Sequence, residues 1–407
     1  MRVLATERRI APFGDLLSEI PLLGRSFAEL RADEAHASGV DVDRLTCGAH
    51  AFATAPVLRA FAQRAPRGRP SRLALPHHAL SRALAPVSSI DRRDGRLSYD
   101  IFLDAPEGAD LDRLQREAQP VDVGPDVDRD GVGVDRVGVG VGVSYRRELP
   151  RIGPGPHHLD LPADGFVAAH VEHWVHLLWL APLLVPAGLA RAPKARRRRP
   201  SRVPSLIGEG AEIHPTAHVE GSIVGEGAQI AAGCSLRHSF VGAGSRLAEH
   251  TKLDRCVLGD RALTLADATF SHVVSLGEGT LTNLLLKDVL IGRAVFLTSG
   301  VIFWGERDGG GNVTVDRDGQ EIDTERRFVG GCVGHGSVLG ARTIVAAGRA
   351  LPNRTMVVMR REEGVLRIER QATSTPLCWD NAALVPFDRL EPGRPPDELS
   401  DRRGVPS

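Results

Sequence analysis

The sequence predicts a two-part protein: a mixed α/β N-terminal region followed by a parallel β-helix. Three observations predict it. Apolar residues recur at every sixth place over the C-terminal half, small residues and glycine fill the places between, and the first 200 or so residues carry helix and strand patterns without that rhythm. An amphipathic helix repeats at about 3.6 residues and a half-buried strand at 2, so a sixfold period belongs to neither alone.

The rhythm can be counted. Ile207, Ile213 and Val219 lie six apart, and steps of five then open new rounds at Val224, Ile230, Leu236, at Val241, Leu247, Leu253, and at Leu258, Thr264, Phe270. After an irregular stretch near 275 to 285 the series resumes at Ile291, Leu297, Phe303 and again at Val333, Leu339, Val345, Leu351, Val357. A fixed repeat of this kind marks a solenoid of three short strands and three turns per coil, on the order of eight or nine coils here. Each coil buries its inward side chains only by stacking on its neighbours. Gly225, Gly227, Gly233, Gly242, Gly244 and Gly259 supply backbone freedom for the corners.

Before the solenoid the signals are more varied. PVLRAFAQRA, Pro56 to Ala65, places apolar residues on one helical face. Residues 121 to 143 alternate valine with glycine and aspartate, which reads as a glycine-rich strand or hairpin; no Lys-Ser/Thr or GxGxxG context makes it a phosphate loop. FVAAHVEHWVHLLWLAPLL, Phe166 to Leu184, has a helical pattern, and Leu177 to Ala190 is a buried helix or interface element too short for the roughly twenty residues of a membrane span. His170, His173 and His176, three apart beside Glu172, raise zinc, but Trp174, Leu177 and Leu178 favour a packed face. RAPKARRRRPSR, Arg191 to Arg202, reads as a solvated basic linker or a phosphate contact.

Composition narrows the classes further. The 407 residues are 42% hydrophobic and 25% charged, enough for two or three cored domains. Fifty-one basic residues offset fifty-one acidic ones, so no global field recruits nucleic acid. Five scattered cysteines without CxxC spacing argue against a disulfide scaffold and a zinc ribbon, and fit a reducing cytoplasm. The N-terminus lacks the apolar stretch of a signal peptide.

Within this frame the repeat resembles the left-handed β-helix of hexapeptide acyltransferases. GVIFWGERDGGGNVTVDRDGQEIDTERRFVGGCVGHGSVLGARTIVAAGRALPN, Gly300 to Asn353, is similar to a segment of bifunctional sugar-1-phosphate nucleotidyltransferase/N-acetyltransferases, in which a substrate loop and a short hairpin interrupt the coils. Glu306, Arg307, Asp308 and Gly309 resemble the family's acceptor-loop motif, and Arg326, Arg327, Phe328 and Val329 its basic return motif. VTV and QEI flank DRDG as an independent hairpin signal. More faintly, Ile10 to Val40 resembles the start of a nucleotidyltransferase domain, and the tryptophan-containing helix the family's connecting helix.

The resemblance implies a degenerate nucleotidyltransferase-like domain over 1–160, a connecting helix and linker over 161–203, a left-handed β-helix over 204–358 with an insertion at 304–328, and a tail over 359–407. It also implies a homotrimer, acetyl-CoA as co-substrate, a sugar phosphate or amino sugar as acceptor, and Arg307, Asp308, Arg326 and Arg327 as acceptor contacts. The chain departs from the family as well. No glycine-rich triphosphate loop opens the N-terminus, and Thr282 and Gly305 stand where the family has its histidine base and acyl-steadying asparagine. Of the solenoid histidines His214, His218, His238, His250, His272 and His335, the last two lie nearest the expected place, each also readable as a surface turn residue. A trimer-interface zinc site, with three histidines converging from neighbouring coils and subunits, is a lesser expectation, since His238 has Arg255 one round later. Acyl transfer and non-catalytic binding of a sugar nucleotide or partner enzyme therefore both remain open.

Overall fold

A computed structural model describes residues 1–4, 8–76, 83–123, 144–148, 158–162, 166–191, 197–198, 204–282, 284–358, 367–368, 377–380 and 383–386. The glycine-valine run at 124–143 and most of the basic linker and the tail lie outside these residues.

The N-terminal unit is α/β around a six-stranded mixed sheet. Its strands are β1 (Arg2–Leu4), β2 (Leu45–Gly48), β4 (Ser71–Pro76), β5 (Asp91–Arg93), β6 (Arg96–Leu103) and β7 (Gln119–Asp122). The order is β1-β2-β6-β4-β7, with β5 on β6; β1 runs parallel to β2 and β7 to β4, whereas β6 is antiparallel to both its neighbours. Helix α1 (Phe27–Ser38) starts at a reciprocal capping box between Ser26 and Glu29 and stops at Gly39, whose φ of 71° suits glycine. Helix α2 (Ala55–Arg64) follows the sequence expectation and buries Val57, Leu58 and Phe61.

Strand β3 (Ala51–Ala53) pairs antiparallel with β8 (Ala168–His170), which ties residues of the connecting segment to the α/β unit. Here the structure differs from the helix expected to begin at Phe166. The chain stays extended through His170, because pairing with Ala51–Ala53 supplies its backbone bonds, and helix α4 occupies Trp174–Arg191. Its start is set by His176, whose Nδ1 accepts from the backbone N–H of Glu172 and of His173, each at 3.1 Å. Helix α3 (Leu111–Glu117) covers β6 through Leu114.

The C-terminal region is the expected parallel β-helix. Its first sheet collects nine strands, Arg197–Arg198 joining antiparallel and the rest stacking in parallel from Ser205–Ile207 to Ala350–Leu351. The second has eight, from Glu212–Ile213 to Met356–Val357. The third runs from His218–Glu220 to Leu285–Lys287 and resumes with Ile302–Phe303 on Ile344–Val345. The register places Ile213 on Ile230 and Ile230 on Leu247, and Val219 on Leu236, Leu253 and Phe270 in turn. These side chains form one buried core.

The irregular stretch is itself a coil. Ser275, Leu281 and Leu286 take the inward places beside Leu258, Thr264 and Phe270, with Leu286 following Phe270 by sixteen positions instead of seventeen. A buried serine and one missing turn residue hid the period. The insertion holds the foreseen hairpin, Thr314–Arg317 against Gln320–Asp323.

The first sheet is apolar on both faces. Inward residues enter the solenoid core, while outward Phe240, Val257, Val274, Leu290 and Cys332 join Trp174, Leu177, Leu178 and Leu184 of α4 in a second core. Eighteen residues of helix span about 27 Å, the rise of five to six coils about 4.8 Å apart. That match explains α4's apolarity; among the described residues no helix is long and apolar enough to cross a membrane.

The corner glycines divide into two kinds. Gly227 has φ 61° and only open space where a Cβ would point, whereas a Cβ on Gly225 would lie 2.5 Å from the Ala243 amide nitrogen and 2.7 Å from the Gly242 carbonyl carbon of the next coil. Gly225→Ala is expected to destabilise the solenoid well beyond the roughly 1 kcal/mol of a left-handed alanine at Gly227. Urea-denaturation midpoints of the two variants check this ordering.

Candidate functional site

Among the described residues, two regions bring chemistry-bearing residues together. The first is the insertion, which leaves the solenoid after Phe303 and returns at Cys332. Arg307 and Asp308 sit exposed on its first loop, and Arg327 is exposed on its return. Arg326 is half-buried: its guanidinium lies 3.8 Å from the Trp179 ring centroid and donates to the Ala83 carbonyl. So Arg326 faces α4 and the N-terminal unit, while Arg307, Asp308 and Arg327 face outward. Phe328 takes Lys287 over its ring at 5.5 Å.

At the two places where the sequence resemblance expects catalytic groups, Thr282 is engaged with the backbone and Gly305 lacks a side chain. Thr282 donates its hydroxyl to the Leu297 carbonyl at 2.6 Å, and Gly305 accepts at its carbonyl from the Val329 N–H at 2.9 Å. His335 is bound into the domain interface: Nε2 contacts Asp15 at 3.0 Å, Nδ1 accepts from the Arg293 N–H at 2.7 Å, and Phe13 stacks 4.8 Å away. His272 lies at the turn from the third sheet to the first, its Nδ1 3.1 Å from the Ser271 hydroxyl.

Beside the insertion's first loop the solenoid changes character. Outward positions of the third sheet read His218, Ser235, Lys252 and Thr269 in the early coils, then Leu285, Ile302 and Ile344. Leu285 and Ile344 are each 64% exposed, and Trp304 next to the loop is 51% exposed. Polar outward residues thus give way to an apolar strip.

The second region lies in the N-terminal unit. Four side chains from separate elements meet: His50 from the β2–β3 turn, Asp100 from β6, His170 from the end of β8, and Glu172 just before α4. A bulge aims Asp100. Between Ser98, opposite Ala74, and Phe102, opposite Arg72, β6 fits three residues against Leu73 alone, which frees the Asp100 N–H from the ladder. That N–H donates to His170 Nε2 at 2.9 Å. His50 Nε2 stands 3.0 Å from Asp100 Oδ2 and 3.8 Å from Glu172 Oε1. Gly48 permits this approach, since a Cβ there would meet Asp100 and His50 at 3.1 and 3.2 Å.

Both carboxylates are held by further polar groups: Gln115 also reaches Asp100 Oδ2 at 2.9 Å, and Ser89 donates its hydroxyl to Glu172 Oε1 and its N–H to Oε2. Asp100 Oδ1 accepts from Arg72 at 2.8 Å and from Gln115 at 3.0 Å. Glu172 Oε2 is paired with the Arg8 guanidinium at 2.8 Å and accepts from Arg317 of the insertion hairpin at 2.5 Å. Burial alone would raise both carboxyl pKa values. The His50 and Gln115 bonds and the Arg72 charge outweigh it at Asp100, and the Ser89 bond with the His170, His50 and Arg8 charges outweighs it at Glu172, bringing Glu172 to about 2. Burial, and then the charge of His50, pushes His170 down to about 4.

The three helix-region histidines therefore have separate fates. His173 Nε2 contacts the Asp316 carbonyl of the hairpin at 2.9 Å and His176 Nε2 the Pro86 carbonyl at 2.8 Å, both as packing residues. His170 alone joins a polar cluster. HVEH, residues 170 to 173, signalled half of it, but His50 and Asp100 arrive through long-range pairing that no local spacing reveals.

No protein-family model and no curated protein matches this chain. Among solved structures, a histidine-to-alanine mutant of GDP-perosamine N-acetyl transferase from Caulobacter crescentus, in complex with CoA and GDP-perosamine, is similar at 19% identity. The match covers 38% of this chain and 53% of that one, with a TM-score of 0.10. This chain thus spans about half the length of that protein, and a likeness at this level bears no functional weight.

Burial lowers His173 to about 4 and His176 to about 3. An unfolded histidine binds its proton near pH 6.5 and these folded ones only well below it, so stability falls as pH drops from about 6.5 toward 4. Denaturant midpoints at pH 7.5, 6 and 5 should decline in that order, and His176→Asn should flatten the decline.

Proposed function

We propose that the protein is a cytoplasmic homotrimeric acyltransferase of the hexapeptide type, moving an acetyl group from acetyl-CoA to an amino sugar or sugar phosphate. The supporting observation is the exposed strip of Leu285, Ile302, Trp304 and Ile344, which runs up to the loop bearing Arg307 and Asp308. A second solenoid packed along the strip would close a groove with apolar walls for the pantetheine arm and a charged end for the acceptor. In this reading Arg307 and Arg327 hold the phosphate, Asp308 an acceptor hydroxyl or amine, and Arg326 fixes the loop's base against Trp179. The acceptor nitrogen or oxygen attacks the thioester carbonyl, the new bond forms as the C–S bond breaks, and CoA leaves as the thiol.

A second reading, non-catalytic binding of a sugar nucleotide or partner enzyme, is favoured by one specific observation. Thr282 and Gly305, at the family's catalytic places, offer no base.

Purified protein with acetyl-CoA and glucosamine 1-phosphate separates the two. Release of free thiol supports transfer, while thermal stabilisation by the sugar phosphate without thiol release supports the binder. In either case Arg327→Ala is expected to weaken sugar-phosphate binding roughly 10- to 100-fold, the value of a charge-assisted bond. Unchanged binding, read by calorimetry, removes this acceptor site.

A further inference from the structure

The His50, Asp100, His170 and Glu172 cluster lies outside the acyl-transfer reading, and its arrangement asks for an occupant. His170 is 1% exposed, and its Nδ1 is buried without a hydrogen-bond partner. The Asp100 N–H donates to Nε2, so the neutral ring carries its proton on Nδ1, 3.6 Å from Glu172 Oε1 and beyond hydrogen-bond reach. A buried, unsatisfied N–H costs free energy that a structural network would avoid.

We propose that His50, Asp100 and His170 bind a divalent transition-metal ion, with Glu172 orienting His170 from behind. His50 Nε2 and Asp100 Oδ2 are 3.0 Å apart and His170 Nε2 is 4.0 Å from the same oxygen; one donor atom from each residue lies within 4.8 Å of the others. Donors bound at about 2.0–2.2 Å around a tetrahedral ion stand a little over 3 Å apart, so small side-chain movements suffice. Coordination at His170 Nε2 displaces the bond from the Asp100 N–H, which then needs a new acceptor. It also requires the ring to move toward Glu172, so that Nδ1–H, now 3.6 Å from Oε1, comes within hydrogen-bond reach of the carboxylate behind a metal-bound histidine. Two imidazoles and one carboxylate suit zinc or a neighbouring first-row ion and leave a fourth position for water or substrate.

The surroundings are organised to match. Arg72 on Asp100 Oδ1 and Arg8 and Arg317 on Glu172 Oε2 hold each carboxylate from outside. Asp100 Oδ2 also accepts from Gln115 at 2.9 Å, a bond a metal ion would displace, and Glu172 Oε1 accepts the Ser89 hydroxyl. His50 is the most exposed of the four, its side chain 14% accessible, and marks the entry side. Because Arg317 belongs to the insertion hairpin, the cluster is also tied to the solenoid's loop.

The test uses the full chain, stripped with chelator and dialysed. Zinc titration by calorimetry and elemental analysis should show one equivalent, and cobalt substitution should give the visible absorption of a four-coordinate nitrogen and oxygen site. His50→Ala and Asp100→Asn should lose that equivalent while retaining the wild-type far-ultraviolet circular dichroism. Glu172→Gln should weaken the metal roughly 10- to 100-fold. His218→Ala, exposed on the solenoid, should bind as wild type. Absence of zinc uptake and of the cobalt spectrum in the wild-type protein overturns the proposal, as does a full equivalent retained by folded His50→Ala. Neither result bears on thiol release from acetyl-CoA.

Discussion

Backbone pairing between successive coils is the constraint on which the rest of this molecule depends. Each coil is held about 4.8 Å above the last by parallel ladders, and that spacing forces inward residues into columns and glycine into the corners where coils come closest. Ile213, Ile230 and Leu247 stack because Glu212, Gln229 and Arg246 pair beside them. A single coil would expose its apolar positions; stacked, the coils bury one continuous core.

From that ladder follows the placement of everything else. Dipeptides such as Phe240-Val241, Val257-Leu258 and Leu290-Ile291 are apolar at both residues because one faces the solenoid interior and the other faces α4. Helix α4 in turn fixes the N-terminal unit against the coils, aided by Asp15 between Arg293 and His335. The insertion hairpin closes the circuit: Arg317 reaches Glu172, His173 reaches Asp316 and Arg326 lies on Trp179. The family-like basic motif is thus partly a structural clamp in this chain, with Arg326 facing the clamp and Arg327 facing outward.

The solenoid was legible in the sequence because its period is set by geometry common to all coils. Every inward residue counted from Ile207 to Phe270 occupies the expected column, and the hairpin announced itself through Asp318-Gly319. Where a coil departed from the rule, with Ser275 inside and one residue fewer before Leu286, the rhythm disappeared from sight although the structure continued. The N-terminal unit was legible only as α/β, since which strands pair depends on contacts between distant residues. Phe166 to His170 reads as helix by composition, yet Ala51–Ala53 draws it into a strand. The His50 and Asp100 meeting depends on a bulge in β6, and a bulge leaves no mark in local propensity.

The central claim is the stacking itself, and an experimentally determined structure of the full chain tests it most directly. Ile213, Ile230 and Leu247 should lie over one another at successive intervals of about 4.8 Å, with Phe240, Val257 and Val274 turned out against α4. A structure in which these residues are offset by one position, so that Ile230 faces solvent and Gln229 the core, would contradict the account.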